Sequence, residues 1–219
     1  METALFFLLA LGYICLFIWG LILSKNRGLF KLTNVLLLVI LGLIYDNAII
    51  AFGKFIGKGT VLEWLSYGRF WLHALFTPTL ILFAWSVCFR TDLPWAKHAF
   101  SKVLAYLLTI GLILFELFVS IRGLKLEAVW KNGLLTYESV GSTNPFMVIV
   151  ITLLLGIVGS ILMVKFRFFW LLSGTVVMVL GSVLANWISF PIMNVLEFLF
   201  IVSLLLTKKF ILQFKGTGL

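Results

Sequence analysis

The side chains able to do chemistry in this chain are few, and most lie inside apolar runs. Arg69 and His73 stand four residues apart in the stretch RFWLHALFTP, residues 69–78. Asp46, Glu116 and Glu197 lie in three further apolar runs, and Glu63 at the edge of a fourth, where water can reach it. A histidine can act as a general base, carboxyl groups as its acid partners, and an arginine as an anion holder. The same groups can hold the polar end of a ligand, or simply cross-link helices. The sequence contains no HExxH, no GxSxG and no paired-aspartate diphosphate motif. One intramembrane histidine cannot build a multi-histidine metal site. Cys15 and Cys88 show neither Cys-x-x-Cys nor Cys/His ligand spacing. No metal or cofactor is therefore expected, and both cysteines read as buried free thiols.

Helical spacing sorts the polar groups into faces. Ser66, Arg69, His73 and Thr77 step by three, four and four, which puts them on one side of a helix. Ser182, Asn186 and Ser189 form a second stripe, and Asn194 and Glu197 lie three apart. Thr109, Glu116 and Ser120 are close to one line, and Asp46 is flanked by Tyr45 and Asn47. A polar stripe on an apolar helix is expected to face the bundle interior, because each charge left in lipid costs roughly 2.5–3.5 kcal/mol. Arg69 is the expected counter-charge for the acids. If His73 is neutral, Asp46, Glu116 and Glu197 outnumber Arg69 by two charges. At least one acid is then expected to be protonated, or the cavity to be wet.

The elements that must position these groups follow from composition. The 219 residues are 63% hydrophobic and 11% charged, which cannot cover a water-facing surface. Lipid must solvate the outside, and in lipid the backbone has to satisfy itself within helices. Hydropathy divides the chain into seven expected transmembrane helices, at 4–24, 33–53, 62–88, 99–121, 145–164, 168–190 and 192–207. The expected class is an all-α integral membrane protein, residues 1–219 forming a single polytopic domain. The first apolar run lacks a basic leader and is about 20 residues long, so it reads as a retained helix.

Net charge is +9, but the basic residues sit in short loops and form no groove-sized patch, so nucleic acid is not an expected partner. Their distribution instead orients the chain. Lys25, Arg27, Lys31, Arg90, Lys97, Lys102, Lys165, Arg167, Lys208, Lys209 and Lys215 fall in one set of loops. Lys54, Lys58, Arg122, Lys125 and Lys131 fall in the other. The richer set should face the cytoplasm, giving N-terminus out and C-terminus in at the cell membrane. Trp19, Trp64, Trp170 and Trp187 lie near span ends and read as interfacial anchors. At 1.5 Å per residue, Arg69, Asp46, Glu116, Asn186 and Glu197 then lie roughly 6–11 Å inside the outer boundary, with His73 about 13–16 Å in.

Three local patterns complete the reading. In the long loop between helices 4 and 5, Leu124, Leu126, Ala128 and Trp130 alternate with more polar residues, Asn132-Gly133 follows, and Leu134 to Val140 comes next. This predicts a short extracellular β-hairpin. Val61-Leu62-Glu63-Trp64-Leu65 resembles Val195-Leu196-Glu197-Phe198-Leu199, which would suit a parallel 3+1+3 duplication of a kind common in transporters. Thr152, Gly156 and Ser160, and likewise Gly181 and Ala185, have spacings that let helices approach closely. Pro78 is expected to kink its helix.

The function expected from these features is binding or transport of a small or lipid-like molecule through a polar cavity in the outer half of the bundle. Membrane lipid and a small hydrophobic or amphipathic ligand are the expected partners. The candidate site comprises Asp46, Asn47, Ser66, Arg69, His73, Glu116, Asn186, Asn194 and Glu197. Two alternatives stand beside it: an intramembrane enzyme acting on a lipid or isoprenoid by His/carboxylate chemistry, and an assembly protein whose polar network only stabilises it. Seven spans suggest an opsin-like layout, but no lysine lies within 192–207 to form a retinal Schiff base. The likeness is topological and carries no chromophore role.

Overall fold

The computed structural model describes residues 2–25, 31–141, 145–187 and 190–214. The chain is mostly helical. Helix α1 spans Glu2–Ser24, and α2, entered through a 3-10 turn at Leu32–Asn34, spans Val35–Ile56. Gly57 then takes φ 84°, and its N–H closes the end of α2 on the Gly53 carbonyl. Helix α3 (Thr60–Phe76) and α4 (Leu80–Arg90) are joined by the 3-10 turn Thr77–Thr79. Pro78 has no N–H to continue an α-ladder, so the helix tightens there, as expected of a kink. The Thr79 hydroxyl donates to the Phe76 carbonyl at 2.6 Å. Helix α5 (Ala99–Phe115) continues into a π-helical turn, Glu116–Ile121, whose last bond runs from Arg122 N–H to Leu117 O. Helices α6 (Phe146–Phe166), α7 (Trp170–Leu184, then a 3-10 turn to Trp187) and α8 (Ile192–Phe214) follow.

Five of these segments are long and apolar enough to cross a membrane: Glu2–Ser24, Leu32–Ile56, Thr60–Arg90, Ala99–Ile121 and Phe146–Phe166. The apolar helix α7 is shorter, at 15 residues. Helix α8 has 23 residues but carries Glu197, Lys208 and Lys209. Leu8, Leu11, Ile22, Leu107, Leu153, Val164 and Val183 all point outward. Outward apolar side chains on long apolar helices fit a membrane-embedded, multi-pass protein.

Contacts tie the connecting segments to the helices at two places. At one, Asn132 Nδ2 donates to Glu2 Oε1 at 2.7 Å, and the Tyr137 hydroxyl donates to Gly59 O at 3.3 Å. At the other, Phe168 of the α6–α7 link stacks on Phe210 of α8, ring centroids 4.4 Å apart. One contiguous apolar core runs between them, with Tyr13, Leu36, Ile40, Phe83, Leu162 and Leu204 at its centre. Small residues set the helix spacing. A Cβ on Gly159 of α6 would lie 2.8 Å from the backbone N of Leu172, and one on Gly181 of α7 would strike Leu196 of α8.

The hairpin forms where the Asn-Gly pair predicted it. Strands β1 (Leu126–Lys131) and β2 (Leu134–Ser139) pair antiparallel in register Lys131↔Leu134. Asn132 and Gly133 both take positive φ, 51° and 80°, which is what a two-residue turn matched to strand twist requires. Leu135 and Tyr137 bury against Leu62 and Ile49. Gly53 permits this approach, since a Cβ there would run into the Leu135 carbonyl oxygen.

Two expectations are corrected. Helix α8 does not stop at 207 but continues to Phe214, so Lys208 is a helix residue and fully buried instead of a loop charge. Its ammonium donates to Gly20 O at 3.2 Å and to Ser24 Oγ at 2.8 Å, at the C-terminal end of α1. Cys88 is buried as expected, but Cys15 is exposed on α1; both are free.

Candidate functional site

The site starts from how closely α2 and α3 pack. Tyr45 donates its hydroxyl to Leu65 O at 2.9 Å. It passes over Gly68, where a Cβ would sit 2.7 Å from that hydroxyl. This contact draws the helices together one residue from Asp46 on α2 and one residue from Arg69 on α3. Arg69 Nε then donates to Asp46 Oδ1 at 2.7 Å, both side chains being largely buried. Arg69 is thus the counter-charge of the acid on α2.

The other acids do not reach Arg69, but they face the same space. Asp46, Arg69, His73, Thr77, Glu116, Ser120 and Glu197 all line one cavity of about 680 Å³. Leu43, Phe70, Phe76, Ile151, Met178 and Phe200 make its apolar wall. Glu116 is buried and its Oε1 has no hydrogen-bond partner, and the Ser120 hydroxyl is likewise unpartnered. Both lie in the π turn, whose i→i+5 bonding departs from the α-helical path expected through residue 121. His73 is accessible and shares a 3.2 Å hydrogen bond with Thr77, one turn along the same face. No carboxylate among the described residues hydrogen-bonds to His73, so it lacks the orienting partner that a general base usually has.

A second cavity, of about 360 Å³, opens at the hairpin end. Glu2, Lys131, Glu138 and Asn194 line it, and so do Asp46, Arg69 and Met193, which line the larger one as well. The ion pair therefore stands on the wall between the two.

The remaining candidates lie elsewhere. Asn47 is fully buried, and its Nδ2 turns back to Leu43 O at 2.8 Å, leaving Oδ1 unpartnered. Adjacent residues are about 100° apart on a helix, so Asn47 cannot share the face of Asp46. Ser66 is buried between helices and lines neither cavity. Thr109 is buried and bonds to Ala105 O. Ser182 is exposed and bonds back to Val179 O, so it faces away from the interior. Asn186 lies in the 3-10 turn after α7; its side chain, and Ser189, Arg27 and Lys215, fall outside the described residues. Gly68 and Met193 belong to the site's architecture without having been legible as candidates. A small residue next to Arg69 was the one available signal.

The class that fold and composition fit is a multi-pass helical membrane protein. No protein-family model, no characterised protein and no solved structure matches this chain.

Proposed function

We propose that this protein binds or carries a small amphipathic, lipid-like molecule in the larger cavity. The observation that supports it is a single space of about 680 Å³ lined by ionisable side chains from α2, α3, α8 and the π turn together with aromatic and aliphatic side chains. Ligand sites are typically about 300–1,000 Å³, mostly apolar, with a few convergent polar groups. The enzyme alternative is weakened because His73 is paired with a threonine hydroxyl instead of an acid.

Mass spectrometry of gently purified protein is expected to find a retained amphiphile. His73→Ala removes a lining side chain whose hydrogen bond is to Thr77. It should lower retention about threefold to tenfold, the value of one lost hydrogen bond, with little change in melting temperature. Unchanged retention with a lower melting temperature would instead favour the assembly alternative.

The same reading places all seven helical segments across the membrane, N-terminus outside. Lysine and arginine bias supports this orientation. A membrane-impermeant maleimide should label Glu127→Cys, on the exposed edge of the hairpin, in intact cells, and Lys97→Cys only after permeabilisation. The reverse pattern would invert the topology.

A further inference from the structure

We infer that the polar end of the molecule held in the larger cavity is a protonated amine, and that the ligand is an alkylammonium-type amphiphile; this rests on the proposed binding role. The charged and titratable groups facing the cavity are Asp46, Arg69, His73, Glu116 and Glu197. Arg69 is matched by Asp46 at 2.7 Å. That leaves two carboxyl groups, on separate elements, in no salt bridge among the described residues. Glu116 is 6% exposed and its Oε1 is buried with no hydrogen-bond partner. Glu197 approaches from α8, and no described residue hydrogen-bonds to it. The Ser120 hydroxyl beside Glu116 is a further unused acceptor.

An ammonium group has three donors and a positive charge, so it can donate to more than one of these oxygens and compensate a carboxylate. An anionic head would have to take Arg69 from Asp46 and then face Glu116 and Glu197, a juxtaposition of like charges. A neutral hydroxyl offers one donor and no charge. The rings of Phe70, Phe76 and Phe200 line the same space. They suit both an apolar tail and the edge of a cation.

The test titrates the full chain in phosphatidylcholine nanodiscs with octylammonium, octan-1-ol and octanoate. Binding is read by calorimetry, with empty nanodiscs as the blank. Octylammonium should bind at least about tenfold more tightly than either of the others. Glu116→Gln should remove most of that advantage and leave octan-1-ol binding unchanged, while Glu116→Asp should keep it. If octanoate or octan-1-ol binds as tightly as the amine, the amine assignment fails and the binding role stands. If none of the three binds, both fail.

Discussion

Asp46→Ala should destabilise the bundle by about 2–4 kcal/mol. Removing one partner of a buried ion pair leaves the other charge uncompensated, which usually costs about 3–5 kcal/mol. The side chains of Arg69 and Asp46 keep 14% and 25% exposure, so some solvent screening trims that figure. Interhelical hydrogen bonds in membranes average only about 0.6 kcal/mol, so a loss of that smaller size would mean Arg69 finds water or another acid at once. Glu116 and Glu197 line the same cavity and are the acids it would turn to. The double variant Asp46→Leu with Arg69→Met removes both charges and should return to within about 1 kcal/mol of the parent. Thermal unfolding of all three proteins in one detergent, followed by tryptophan fluorescence, compares the two losses. Equal losses in the single and double variants would show that removing the stranded arginine recovers nothing, and would overturn the buried-charge account.

The second large effect concerns Lys208, and its direction depends on the replacement. Lys208→Ala should cost about 2–4 kcal/mol, because it empties space in a fully packed region at the meeting of α1 and α8. Lys208→Met keeps the volume and removes a buried charge that pairs with no carboxylate among the described residues. Among the described residues its ammonium donates to Gly20 O and Ser24 Oγ, at the C-terminal end of α1, where a cation gains about 0.3–1 kcal/mol from the helix dipole. Replacing buried ionic groups with apolar side chains of similar volume is often neutral or stabilising by about 1–4 kcal/mol. The single O–H of Ser24 keeps an acceptor in Gly20 O at 2.7 Å or Asn34 Oδ1 at 2.8 Å, so the change strands no donor. Lys208→Met is therefore expected to melt at or above the parent temperature, and Lys208→Ala well below it. If both fall equally, the ammonium itself holds the helices together.

Particular residues show how far a linear reading reaches. Asn132-Gly133 marked the hairpin because both positions need positive φ, a constraint carried by residue type alone. Pro78 marked the break between α3 and α4 for a similar reason. Arg69, His73 and Thr77 fell on one face because helical spacing is a property of the segment itself. The rotation of each helix against its neighbours decides what a given face meets, so Ser66 of the same stripe lines neither cavity and Ser182 is exposed. The π turn at Glu116 carries no residue-type signature. Lys208 was assigned to a loop because hydropathy falls at Lys208-Lys209, although KKFILQF contains nothing that stops a helix.

Composition and periodicity thus determined by themselves that this chain is a helical, membrane-embedded protein, that a few ionisable groups turn inward, and where one tight turn must form. Those are local properties, set by side-chain chemistry and by 3.6 residues per turn. Only the tertiary structure decided that Arg69 pairs with Asp46, that Glu116 and Glu197 share its cavity without reaching it, and that Lys208 caps α1. These depend on the offset and rotation of one helix against another. Close contacts such as Tyr45 over Gly68 and Leu135 against Gly53 set those offsets, and no spacing within a single segment encodes them.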